Sequence, residues 1–296
     1  CTRDVLVMSF IEGVLMSDYL RLLSEDPVGA MRWQAENKIK PKKVVKDLYL
    51  SCQRQIFEDN LFHSDLHPGN IMLLRKSRVA LLDFGAVGLL DLNTRKQVML
   101  YHKLIAEGDV SKAMMVLTHM SSPLPNLDLG SLIRQLVRTT QKSLRFMSVK
   151  GVSYEERIYS DATNQQLRLL GNARVPVSWD FLRAQRTFTV LEMSMRQLDP
   201  KMEPMKLSRD YFHDRKERIQ EAAGGRAGQL FNKIESIADE ADIVLKELSE
   251  AKVLAGKIWG IGLDEIKSFS SKALTWAVVA SIATGLVIVS GVVPAL

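Results

Sequence analysis

Phe62-His63-Ser64-Asp65-Leu66-His67-Pro68-Gly69-Asn70-Ile71-Met72-Leu73, followed shortly by Leu81-Leu82-Asp83-Phe84-Gly85, is the stretch whose reading decides the fold. It sets an acid, Asp65, five residues before an amide, Asn70, and adds a second acid, Asp83, ahead of a glycine. An amide carbonyl and a carboxylate are hard oxygen donors suited to a small divalent cation. Between Asn70 and Asp83, Met72-Leu73-Leu74 and Val79-Ala80-Leu81-Leu82 read as two short strands. Arg75-Lys76-Ser77-Arg78 is their polar turn. The pattern therefore predicts a hairpin that returns Asp83 towards Asn70.

Phosphoryl transfer from a nucleotide needs three such groups: one carboxylate to orient the attacking hydroxyl, and two oxygen ligands for the magnesium that neutralises the phosphates. The catalytic loop of protein kinases is His-Arg-Asp-x-x-x-x-Asn, with Asp-Phe-Gly further on. The Asp-to-Asn spacing matches here, whereas Ser64 replaces the Arg and His67-Pro68-Gly69 fills the space before Asn70. A lone Asp in a loop reads as a turn or cap residue. The placement of Asn70 and Asp83 is what gives Asp65 a catalytic reading.

His-x-Asp-x-His-Pro-Gly-Asn followed by Asp-Phe-Gly resembles the UbiB (AarF-domain) atypical kinases, membrane-associated kinase-like ATPases tied to the biosynthesis of ubiquinone and other isoprenoid quinones. The resemblance runs from Asp4 to about Asp214 and is specific mainly between Phe62 and Gly88. It implies that ATP and Mg²⁺ are used, with Asp65 orienting or deprotonating the nucleophile and Asn70 and Asp83 holding the metal. Gly85 permits the tight backbone that aims Asp83. His63 fits the structural histidine of the loop, packing near Phe84, while Pro68 and Gly69 shape the loop and His67 marks the departure from ordinary kinases. A zinc site from His63 and His67 is disfavoured, because Pro68-Gly69 cannot continue a helix and no third ligand is near. Upstream, residues 4–8 read as a buried strand leading to a nucleotide-binding hinge at Ser9, Phe10 and Ile11; the family usually has an acid where Ser9 stands.

Composition narrows the classes. With 46% apolar and 25% charged residues among 296, the chain is globular rather than disordered. The net charge of +6 is dispersed, densest at Lys38, Lys40, Lys42 and Lys43, without interleaved aromatics. That favours an anionic ligand or lipid headgroups over nucleic acid. Cys1 and Cys52 are too few for a disulfide framework, so a reducing compartment is expected. No Met opens the chain, and it reads as a fragment whose beginning is missing.

The expected architecture is mainly α: a protein-kinase-like C-lobe with a short β-hairpin at the catalytic site, then an amphipathic helix and a C-terminal transmembrane helix. Residues 1–16 are the last N-lobe strand and hinge, 17–218 the C-lobe, 219–229 a linker, 230–262 the amphipathic heptad helix and 273–296 the transmembrane helix. Within the lobe, Ser17 or Asp18 caps a helix from about Tyr19 that Pro27-Val28-Gly29 breaks. Val44, Val45, Leu48, Tyr49, Cys52, Ile56 and Phe57 recur at helical spacing and deliver the chain into the catalytic loop. After Gly85 the chain enters helical pattern at about Asn93 and continues to Pro123 and Pro125. Further helices follow from about Leu132, over about 154–170 and over 178–198. No long activation segment follows Gly85, which counts against a peptide substrate.

Over 230–258 the apolar positions alternate steps of four and three, a seam for packing on the lobe, for homodimerisation or for a membrane surface. The last 24 residues carry no charge and would span about 36 Å as a helix, against a hydrocarbon core of roughly 30 Å. Ala277, Ser281 and Gly285 give this segment a small-residue face. Lys257, Lys267 and Lys272 flank only its N-terminal side, which puts the kinase-like domain on the cytoplasmic, stromal or matrix side of a membrane. Lipid-quinone precursors or biosynthetic enzymes are the expected partners. Two other functions compete: a small-molecule phosphotransferase of the aminoglycoside or choline kinase kind, and a non-catalytic kinase-like scaffold. The chain lacks a nucleotide loop, a strand lysine and a Lys-x-Gly-Gln motif, so weak binding of MgATP by this segment alone is expected.

Overall fold

A computed structural model describes residues 5, 7–121, 127–148 and 159–222. By contact density the chain divides into two units, Cys1–Ile234 and Glu235–Leu296, and every described residue lies in the first. The expected amphipathic helix at 230–262, with its dimer seam, and the expected transmembrane helix at 273–296 lie outside the described residues. Among the described residues, no helix is long and apolar enough to cross a membrane.

The described part is mainly helical, with two small antiparallel sheets. β1 (Val14–Leu15) leads into α1 (Met16–Glu25), α2 (Pro27–Glu36) and α3 (Pro41–Arg54), which continues as a π turn over Gln55–Asp59. β2 (Phe62–His63) precedes the loop, and β3 (Ile71–Leu74) and β4 (Arg78–Leu81) form the hairpin, β3 starting one residue earlier than expected and β4 both starting and ending one residue earlier. β5 (Val87–Gly88) pairs with β2, and β1 pairs with β3. The remaining helices are α4 (Leu92–Glu107), α5 (Val110–His119), α6 (Leu129–Ser148), α7 (Tyr159–Asn172), α8 (Trp179–Leu198) and α9 (Pro204–Ala222). Residues 219–222 of the expected linker thus belong to a helix.

Local chemistry explains several departures from the sequence reading. Positions 5, 7 and 8 of the expected N-terminal strand are in no ladder, and Val7 and Met8 are exposed. Apolar alternation gives a strand only where a partner edge pairs with it, and the rung on β3 is taken by Val14 and Leu15. Gly13 makes that pairing feasible: a Cβ there would sit 2.5 Å from Leu74 Cδ2 and 2.8 Å from the Leu73 carbonyl. α1 begins three residues before Tyr19, without a side-chain cap. Pro27 starts a helix as well as ending one, since the Asp26 carboxylate accepts from the Gly29 amide and Pro is suited to the first helical turn. The helical region after Asn93 is two helices, separated at Gly108 and restarted by the Asp109 cap on the Lys112 amide.

The apolar face of α3 is buried as its periodicity requires: Val44, Val45, Leu48, Tyr49, Cys52, Ile56 and Phe57 are all in the core. Each such aliphatic side chain contributes roughly 1.5–3 kcal/mol by leaving water. Phe57 is the hub. Its ring lies 5.5 Å from His102 on α4, 6.0 Å from Phe188 on α8, and 5.9 and 5.8 Å from Tyr211 and Phe212 on α9. Burial pushes the Cys52 thiol well up, so it packs as an inert apolar group. A second buried link is polar: Tyr101 donates to Gln166 (2.7 Å), whose amide donates to Thr140 (2.8 Å), joining α4, α7 and α6.

Candidate active site

The helix α3 would overshoot the loop without a change of direction, which the π turn and Asn60 supply. Asn60 is left-handed (φ 53°), a conformation Asn tolerates. Its side chain bonds Leu90 in both directions, amide to carbonyl at 2.8 Å and Leu90 N–H to Oδ1 at 3.1 Å. The segment entering the loop is thereby clipped to the segment leaving Asp-Phe-Gly. Gln55 Oε1 accepts from the His63 amide, and the Ser64 amide and hydroxyl both donate to the Ala86 carbonyl.

His63, buried, organises the centre with both ring nitrogens. Nε2 donates to the Leu82 carbonyl at 2.7 Å, and Nδ1 accepts from the Asp65 amide at 3.2 Å. These partners fix the tautomer with the proton on Nε2, and they leave neither nitrogen for a metal. The ring packs 5.3 Å from that of Phe84, as the sequence suggested. Asn70 Nδ2 donates to the Asp65 backbone carbonyl (3.1 Å), and the Asn70 backbone carbonyl accepts from the Leu82 N–H (2.9 Å). Asp65, Asn70 and the residue before Asp83 therefore share one hydrogen-bonded knot.

The side chains at the knot's surface are the candidates for chemistry. With the Asn70 nitrogen on the Asp65 carbonyl, its Oδ1 is the atom that could serve as a ligand. Asp83 is left-handed (φ 54°), a sparsely populated conformation for a non-glycine residue that clusters at functional sites. Its Oδ1 accepts from the Gly85 amide (3.2 Å), which leaves Oδ2. One neutral oxygen and one charged oxygen are donor types that magnesium accepts beside phosphate and water. His67 Nδ1 accepts from the Gly69 amide, so Pro68-Gly69 forms a turn closed by His67 itself. The far end of the hairpin is pinned as well: Ser77 Oγ accepts from the Lys40 amide, and the Lys76 amide donates to the Asn37 carbonyl.

Two contacts at the site were not legible in the sequence. Arg186 on α8 donates to Asp65 Oδ1 at 3.2 Å, and two turns further along Ser194 Oγ lies 3.2 Å from the Leu66 carbonyl. No local signal marks either residue. Ser9, Phe10 and Ile11, expected as the hinge, lie on an exposed stretch ahead of β1 and outside the knot, with Phe10 92% exposed.

This loop, hairpin and Asp-Phe-Gly arrangement lies in a segment that is similar to known proteins. Residues 1–117 match the ABC1 atypical kinase-like domain. Similar proteins include "Probable protein kinase UbiB" of Pseudomonas entomophila, 24% identical over 261 residues, covering 84% of this chain and 44% of that protein. Two chloroplastic Arabidopsis thaliana proteins are also similar. "Protein ACTIVITY OF BC1 COMPLEX KINASE 7" is 26% identical over 63% of this chain and 26% of its own length. "Protein ACTIVITY OF BC1 COMPLEX KINASE 1" is 45% identical over 34% of this chain and 13% of its own. The chain thus spans less than half the length of these relatives. The resemblance to UbiB kinases read from the loop motif holds, and the whole knot falls inside the ABC1 segment.

Proposed function

We propose that the protein is a membrane-anchored atypical kinase or ATPase of the UbiB type that supports ubiquinone or other isoprenoid-quinone biosynthesis. The observation that carries this reading is the pair of bonds through Asn70, to the Asp65 carbonyl and from the Leu82 amide, which bind the acid, the amide and the approach to Asp83 into one unit. Mg²⁺, held by Asn70 and Asp83, would neutralise phosphate charge. Asp65 orients a hydroxyl or water whose oxygen bonds to the γ-phosphorus as the bond to the β–γ bridging oxygen breaks. The proton passes to the Asp65 carboxylate and on to solvent, and ADP departs.

From Gly85 the chain makes only β5 and a short turn before α4 begins at Leu92. A peptide platform has no room there, which favours water or a small acceptor. Membrane attachment is assigned to residues 273–296, and lipid-quinone precursors or their enzymes are the proposed partners. A phosphotransferase of the aminoglycoside or choline kinase kind would share the Asp-to-Asn loop, but nothing in the site favours it.

In the full-length protein, Asp65→Asn and Asp83→Asn should each lower MgATP turnover by about a hundredfold or more. Both should also fail to restore quinone synthesis in a strain lacking the protein. Restoration by Asp83→Asn at wild-type level would instead make the protein a scaffold.

A further inference from the structure

Asp65 is fixed at its backbone from both sides, its amide donating to His63 and its carbonyl accepting from Asn70. Neither bond sets the rotation of the carboxylate. One side chain from outside the loop does: Arg186 Nη2, 3.2 Å from Oδ1. His67 Nε2 is 3.8 Å from Oδ2, beyond hydrogen-bond range, so that oxygen stays uncapped. The helix that carries Arg186 is itself registered on the loop, because the Ser194 hydroxyl is shared between the Leu66 and Val190 carbonyls. The pair is solvent-accessible, Arg186 being 68% and Asp65 33% exposed at the side chain. An ion pair so placed contributes little to stability, and stability does not account for its presence. The loop itself has Ser64 where the kinase pattern has Arg, so the guanidinium beside this acid arrives from α8.

We propose that Arg186 is a positioning residue: it anchors Asp65 Oδ1 so that Oδ2 alone faces the hydroxyl or water to be activated. The inference rests on Asp65 acting as proposed above. It predicts a defect in turnover and not in nucleotide binding, since Arg186 touches neither metal ligand.

The test measures MgATP turnover of the full-length protein for wild type, Arg186→Gln, Arg186→Lys, Asp65→Asn and the double variant Asp65→Asn/Arg186→Gln, with melting temperatures alongside. Arg186→Gln should lower kcat about tenfold or more with KM for MgATP and melting temperature unchanged, as for an interaction used only in the transition state. Arg186→Lys should recover part of the loss. In the Asp65→Asn background the Arg186 change should add nothing, as expected for coupled residues. Wild-type turnover in Arg186→Gln, or equal and additive losses in both backgrounds, would overturn the inference while leaving the Asp65 reading intact. Unchanged turnover in Asp65→Asn would overturn both.

Discussion

His63 shows how one side chain can hold a loop that has almost no regular structure of its own. With Nε2 on the Leu82 carbonyl and Nδ1 on the Asp65 amide, it ties the two ends of the catalytic segment across the hairpin. His63→Phe would keep the ring against Phe84 and delete both bonds, leaving a partly buried carbonyl and a partly buried amide unpaired. We predict a loss of about 1–3 kcal/mol in chemical denaturation, with turnover reduced as Asp65 loses its reference. At this scale the sequence was most informative where chemistry forces local spacing. Asp65, Asn70 and Asp83 stand out because their order and spacing follow a kinase-like pattern within one short stretch of chain. Arg186 does not, because it lies 121 residues from its partner and on a helix whose pattern reports only burial.

At the scale of elements, periodicity was a good guide to which faces are buried and a poor one to where elements begin. The α3 stripe from Val44 to Phe57 is buried in full, since a helix satisfies its own backbone and needs only an apolar neighbour. Residues 5–8 show the converse: a strand needs a partner edge, which no run of side chains specifies. α2 was hidden because Pro27 and Gly29 read as breakers, whereas Asp26 turns them into a helix start. The packing behind the loop makes its own prediction. Burial among Phe57, Tyr101 and Phe188, with Gln185 on its Nε2, holds the His102 imidazole down from 6.5 to about 3. The folded protein therefore binds fewer protons than the unfolded chain between these values. Stability is complete above pH 6.5 and falls as the pH drops, approaching about 1.4 kcal/mol per unit down to about pH 3. Denaturation midpoints between pH 7 and 5 should show this slope, and His102→Gln should flatten it.

For the whole molecule, the chain divides into the unit Cys1–Ile234, which contains the candidate site, and the unit Glu235–Leu296. Residues 1–117, the segment similar to the ABC1 atypical kinase-like domain, hold the short strands and the hairpin, and helices from α4 onward pack against one another behind α3. The clip from Asn60 to Leu90 and the pairing of β2 with β5 hold the stretch around Asp-Phe-Gly in one arrangement. The magnesium site proposed at Asn70 and Asp83 would then need only nucleotide phosphates and water to complete its coordination.

The most direct test is manganese binding to the full-length protein, followed by electron paramagnetic resonance with a non-hydrolysable ATP analogue present. A nucleotide-dependent manganese site is expected in the wild type, weakened by at least about tenfold in Asp83→Asn, the lower end of what disturbing a metal site costs. Equal manganese affinity in the two proteins would contradict it.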